Sequence, residues 1–250
     1  MLIKATDIIN QSVELYLKHF KQIWVYLAIS LIPTITLTII TLTEISLEVH
    51  MVTPKIANDI VLLIVFIAGL ILSLWAYLAL IKGCDRILKN QLPGDWKENF
   101  ISAKTIILSG IWLSIIVGLT ILAGSILFII PGIIFTVWFQ FSIYSLATDN
   151  TKGIEAMKMS KNLVTGRWWA VLWRLFAPSV LFAIAAGILQ WIIGQILNLL
   201  PTMSLAPSNT VTIFSNNIIS LLLLPLLIIA GLILYENLKS TPVNKTVPIS

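Results

Sequence analysis

Charge is what this chain has least of. Of its 250 residues only 11% are Asp, Glu, Lys or Arg, 58% are hydrophobic, and the mean hydropathy is +0.98. A soluble domain carries about a quarter charged residues. With so few charges no packing arrangement could cover a water-facing surface, so lipid is the solvent for much of the chain. Cysteine occurs once, as Cys84, which excludes an intrachain disulfide. Beside Lys82 and Arg86 at a membrane-helix end, Cys84 reads as an inert buried thiol, with palmitoylation as the sharper alternative. The two histidines, His19 and His50, offer with that cysteine no His/Cys metal cluster and no Cys–His pair. Phosphate-loop, nucleophile-elbow and H-E-x-x-H patterns are missing too. No catalytic residue, metal or cofactor is expected.

Ionisable residues are also missing from the apolar runs. Six charge-free segments occur at Ile23–Thr43, Ile60–Ile81, Ile106–Ile130, Gly132–Ala147, Leu175–Leu197 and Ile213–Tyr235. Most hold the ~20 residues that a helix needs to cross ~30 Å of hydrocarbon. The expected fold class is all-α, a polytopic membrane protein with six transmembrane helices. The first run is too long for the ~7–15-residue core of a signal peptide and is expected to be retained. Proton relays and ion-coupled transporters usually keep ionisable groups inside the bundle, so their absence lowers that class. The polar residues that remain in the spans, Gln140, Gln190, Gln195, Asn216 and Asn217, suit interhelical hydrogen bonds or the lining of a site. Pro33, Pro178 and Pro225 read as kinks, with gating hinges as the sharper alternative.

Between the third and fourth runs stand Pro131 and Gly132. The combined apolar stretch is too long for one crossing, and Pro-Gly suits a reversal, so a tight hairpin turn is expected at these two residues. Orientation follows from the basic residues. All but Lys55 of the 16 Lys and Arg fall in segments that six crossings place on one side, which puts both termini in the cytoplasm. The expected location is the cytoplasmic membrane, with residues 1–240 as one integral domain and 241–250 as a disordered tail. The net charge of +5 is spread beside the spans and forms no dense cluster, which argues against nucleic acid as a partner.

Amphipathic helices are expected at about 6–20, 96–105 and 152–165. In the first, Asp7, Asn10, Gln11, Glu14 and Lys18 share one arc and leave a wide apolar face, for the membrane interface or for the protein's own bundle. Asp95 and Glu98 have capping-box spacing before the second. Thr151 suits the N-cap of the third, Glu155 its first turn and Gly166 its C′ position. Aligning Ser12 with Ser160 pairs Asp7 with Glu155, Leu15 with Leu163 and Phe20 with Trp168. The pattern reads as three repeats of cytoplasmic amphipathic helix plus transmembrane hairpin, the first and third most alike.

Beside the spans lies a footprint suited to anionic lipid. Lys152, Lys158, Lys161 and Arg167 flank the inner leaflet, Trp168 and Trp169 sit at headgroup level, and Arg174 is placed to snorkel to a phosphate. Ordinary topology determinants would look the same.

The stretch "IIPGIIF", followed after a span by "IEAMKMSKNLVTGRWWAVL", resembles the membrane domain found in front of some glycerophosphoryl diester phosphodiesterases and related stand-alone multispanning proteins. The shared features are Ile130–Ile133, Glu155-Ala156, Ser160, and Gly166 leading into Trp168-Trp169. The family's proline late in the fourth span is missing from "FSIYSLATDN". The resemblance implies a six-span membrane module without catalysis, because the phosphodiesterase activity belongs to a separate domain marked by a His-Arg-Gly that neither histidine here begins. The expected function is a non-enzymatic module that organises or senses lipid or scaffolds a membrane or cytoplasmic protein partner. The alternative is a transporter or facilitator for an uncharged amphipathic or lipid-like substrate, which requires a polar-lined cavity touching Gln140 or Gln190.

Overall fold

The computed structural model describes residues 2–49, 55–91, 95–199 and 208–242, with side chains over 2–36, 60–91, 95–196 and 213–242. Nine helices occur among them: α1 (Ala5–Lys18), α2 (Phe20–Val49), α3 (Lys55–Leu88), α4 (Trp96–Leu127), α5 (Ile129–Phe139), α6 (Ser142–Asp149), α7 (Gly153–Val164), α8 (Trp168–Leu199) and α9 (Ser208–Ser240). Five stretches are long and apolar enough to cross a membrane: Ile60–Leu88, Trp96–Leu127, Ile129–Asp149, Trp168–Ile196 and Ile213–Ser240. The chain is therefore an all-α, multi-pass integral membrane protein. A further apolar section of α2 covers Phe20–Thr36. The side chains of 37–43, which complete the first expected span, lie outside the described residues. So do His50, the side chain of Lys55, and the tail from residue 243.

Helix α9 is the axis. Of its apolar window 61% is buried, against 11–17% for α3, α4 and α8. Helices α1, α2, α3 and α8 pack around it, and Tyr235, Leu232, Leu234 and Leu238 are fully enclosed. The outer helices present their large apolar residues outward, among them Trp112, Leu119, Ile184 and Trp191, as lipid-facing helices do. Pro33, Pro178 and Pro225 lie inside continuous helices. A proline removes a backbone donor and frees a carbonyl one turn earlier. Near Pro225 the Tyr16 hydroxyl of α1 donates to Leu222 O at 3.0 Å.

The two short amphipathic helices pack on protein. Helix α1 buries Ile8 and Ser12 against α9 and α8, while Leu17 stays exposed. Helix α7 buries Ala156, Met157, Ser160 and Val164 against α4, α5 and α6.

Four local expectations need correction. The helix expected at 96–105 forms from Trp96 but is continuous with the span that follows, because α4 runs unbroken to Leu127 with no Gly or Pro near residue 105 to stop it. Asp95 does cap α4, accepting from Lys97 N at 3.3 Å, but Glu98 turns to Arg86 at 3.2 Å and leaves the capping box open. The reversal between α4 and α5 falls on Phe128, whose backbone is extended, and not on Pro131-Gly132. Proline is at home in the first turn of a helix, where its missing N–H has no intrahelical partner to lose. Thr151 does not cap α7: Lys152 holds that position with no side-chain bond, and the Thr151 hydroxyl pairs with Ser145. Gly166 does end α7 with φ +84°, as expected.

Glycines set how closely α4 and α5 approach. A methyl group on Gly132 would overlap the Ser125 hydroxyl, and one on Gly124 would meet Phe135 at 2.6 Å. The tip between them, Ile126 to Ile130, is apolar and at least 70% exposed at every residue.

Candidate functional site

Helix α7 and the start of α8 carry the residues singled out as a lipid footprint, and the fold divides them. Lys152, Lys158 and Lys161 are exposed, and Lys161 Nζ stands 4.4 Å from the centre of the Trp138 ring. Trp169 is 77% exposed and meets Trp168 edge-on at 4.7 Å. The Trp168 indole nitrogen is buried and lacks a partner among the described residues. The two arginines are committed inward. Arg167 donates to Leu163 O and Leu238 O, each at 2.8 Å, and to Thr241, tying the α7–α8 corner to the end of α9. Its burial lowers its pKa. Arg174 donates to Ile3 O at 2.6 Å and to Ala170 O at 2.8 Å, joining α8 to the N-terminal segment. Lysines and Trp169 therefore form the accessible part of the footprint.

A second polar group lies at the same end of the bundle. Asp85, Lys89, Glu236, Lys239 and Asp149 alternate in sign across α3, α9 and α6. The Lys89–Asp85 and Lys239–Asp149 pairs are 2.8 Å apart, and Glu236 lies 3.6 Å from both lysines. Tyr235 adds a hydrogen bond to Asp149 at 2.5 Å. Burial acts to lower the Lys89 pKa, but its hydrogen bond to Asp85 and the charges of Asp85, Glu236 and Asp149 raise it overall. The network is partly solvated and alternates in sign, so it reads as a clamp holding three helix ends together. Only the i,i+4 pair of Asp85 with Lys89 and the i,i+3 pair of Glu236 with Lys239 were visible as sequence spacings. Cys84, one residue before Asp85, is buried.

Two clefts open in the apolar part of the molecule. The first, about 270 Å³, lies between α3, α4 and the α5–α6 junction, with Ser114, Gln140 and Ser142 among its lining residues. The second, about 200 Å³, lies between α6, α8 and α9, with Arg174, Ser179 and Tyr144 among its lining. Tyr77 and Gln140 belong to both. Tyr77 and Tyr144 share a hydrogen bond, and Gly231 leaves the room that the Tyr144 ring fills. Gln190 lines neither cleft.

The junction that brings Gln140 into both clefts is a break in the membrane span. Helix α5 ends at Phe139, Gln140 and Phe141 form a turn, and α6 resumes at Ser142. Irregular backbone at membrane depth survives only where protein or a lined cavity satisfies it. Here Ser160 of α7 does so, accepting from Phe141 N at 3.0 Å and donating to Trp138 O at 2.6 Å. Nothing in "VWFQFSIY" marks this break locally, since it holds no Gly or Pro.

Comparison with known protein families, with curated proteins and with solved structures finds no match to this chain.

Proposed function

We propose that this protein is a non-enzymatic, lipid-interacting module of the cytoplasmic membrane, with six spans and both termini in the cytoplasm. It organises lipid or scaffolds a partner at the inner leaflet. The observation that carries this reading is the exposed set Lys152, Lys158 and Lys161 at and on α7, whose opposite face is locked onto the bundle, with the exposed Trp169 at the start of α8. Basic residues at a membrane surface attract anionic lipid at about 1 kcal/mol each, and an exposed indole beside them suits the headgroup layer. The short-long-long helix order recurs at α1–α3 and α7–α9, which supports the repeat reading. The resemblance to the membrane domain of glycerophosphoryl diester phosphodiesterases is consistent with a module of this kind.

The test is native mass spectrometry of the protein extracted with its lipids. Replacing Lys152, Lys158 and Lys161 by Gln is expected to reduce co-purified anionic lipid while leaving the fold intact. Unchanged anionic lipid would remove the reading.

A second reading, a transporter or facilitator for an uncharged amphiphile, is favoured by one observation: both clefts reach Gln140. Uptake into proteoliposomes tests it, and a flux indifferent to Gln140→Leu would count against it.

A further inference from the structure

The cleft between α3, α4 and the α5–α6 break holds hydrogen-bonding groups that the bundle leaves unsatisfied. Ser142 is 1% exposed, yet its hydroxyl has no partner among the described residues. Ser114 and Gln140 line the same cleft, and neither meets a hydrogen-bonding partner among the described residues. Neighbouring hydroxyls behave otherwise. Thr120, Ser125 and Thr136 each donate to the carbonyl one turn earlier, at 2.7 to 2.9 Å, which hides a hydroxyl from hydrocarbon. For Ser142 that carbonyl is Trp138 O, which already accepts from Ser160. With Ser160 on that carbonyl, the Ser142 hydroxyl is left enclosed and unpartnered among the described residues, on a residue that lines the cleft.

Depth makes these unpaired groups costly. Gln140 lies near the middle of the 21-residue span Ile129–Asp149, and Ser114 lies well past Lys104, the last charge of α4. Both side chains are exposed on the apolar surface of the bundle, and an amide or hydroxyl that faces hydrocarbon without a partner is unfavourable. The remaining wall is apolar, formed by side chains such as Leu74, Leu113, Val117 and Phe139, with the Tyr77 phenol beside them and no carboxylate or cation.

We propose that this cleft binds an uncharged amphiphile of the acylglycerol kind, whose ester and hydroxyl oxygens bond to Gln140, Ser142 and Ser114. A carboxamide and two hydroxyls both donate and accept, so they match a head that carries both kinds of group. An ionised head is excluded because the wall holds no countercharge. A volume of about 270 Å³ is at the small end for a ligand site. It takes the head and the first carbons of the chain, while the rest of the chain stays in the bilayer. The proposal rests on the membrane-embedded reading above but not on the lysine surface.

The experiment uses the full chain in nanodiscs, with dioleoylglycerol and phosphatidylglycerol as the two probes, read by native mass spectrometry and thermal melting. Wild type is expected to retain dioleoylglycerol. The Gln140→Leu/Ser142→Ala double variant should hold it about thirtyfold more weakly, the loss of two net hydrogen bonds. Without added probe the same variant should melt at or above the wild-type temperature, because two unpaired polar groups are gone. Ser114→Phe, which fills the cleft from its wall, should also block the probe without lowering that temperature. Retention at the wild-type level in either variant overturns the proposal, as does probe loss accompanied by a fall in melting temperature. Wild type that keeps phosphatidylglycerol but not dioleoylglycerol overturns the cleft site and leaves the lysine surface standing. Retention of dioleoylglycerol alone does the converse.

Discussion

The Ser160 hydroxyl accepts from the Phe141 backbone N–H at 3.0 Å across a gap of 19 residues in the chain. It also donates to Trp138 O, so one side chain closes both edges of the break between α5 and α6. Ser160 is fully buried, on the face of α7 that also buries Ala156, Met157 and Val164.

Ser160→Ala should strip a donor and an acceptor of their partner in a place water cannot reach. Each orphaned group costs about 1–3 kcal/mol, so the variant should lose about 2–6 kcal/mol of stability before any compensation. Thermal or denaturant unfolding in detergent checks this, and the Ser142 hydroxyl, given access to Trp138 O, should recover part of the loss. A Ser160→Ala/Ser142→Ala variant is then less stable than Ser160→Ala alone. Equal stabilities would mean that Ser142 does not substitute.

Gly132→Ala should push α4 and α5 apart, because the added methyl overlaps Ser125. The expected cost is about 1–3 kcal/mol of overpacking. Ser125→Gly removes the obstructing side chain, so the double variant should recover most of the loss. A single variant as stable as wild type would show that the hairpin yields at this contact.

Arginines and lysines near α7 should behave oppositely. Arg167→Gln breaks the ties to Leu238 O and Thr241 and should lower the melting temperature with little direct effect on headgroup attraction. The Lys152, Lys158 and Lys161 substitutions should leave melting unchanged and weaken anionic-lipid retention, more so at low salt. Matched melting losses from both sets would count against this division.

Lys89 gives the helix-end clamp an alkaline limit. Its pKa is raised in the folded protein, so its contribution is fully present below the unfolded lysine value of about 10.4 and is lost as pH rises through the higher folded value. Melting temperature should therefore show no Lys89-dependent change from neutral pH to about 9. Above about 10 it should fall less in Lys89→Met than in wild type. Identical alkaline profiles would remove Lys89 from the clamp.

How much of this was readable from residues alone depends on which forces leave a local mark. Charge-free runs mark membrane helices because hydrocarbon excludes charge along every turn, and five helical stretches long and apolar enough to cross a membrane contain such runs. Gly166 marks the end of α7 because its positive φ suits glycine. The reversal at Phe128 left no mark, since Ile126 to Ile130 contains no turn residue, and Pro131 drew the expectation three residues too far. The break at Gln140 was equally silent, being imposed by Ser160 from a different helix. Arg167 and Arg174 looked like headgroup ligands because sequence shows their charge but not the carbonyls that occupy them. Gln140 stood out as a mid-span amide, while the company of Ser114 and Ser142 depended on the packing of α4 against α6.

The order of synthesis gives the one-residue reversal at Phe128 a further meaning. Helix α5 has 11 residues, a length of about 16 Å, too short to cross a bilayer by itself. The tip that joins it to α4 offers no charge or polar side chain to hold it in water. Only together with α6, across the break at Gln140, does the stretch Ile129–Asp149 reach a membrane-crossing length. Ser160 leaves the ribosome 19 residues after Phe141, so the break between α5 and α6 lacks this partner until α7 has been made.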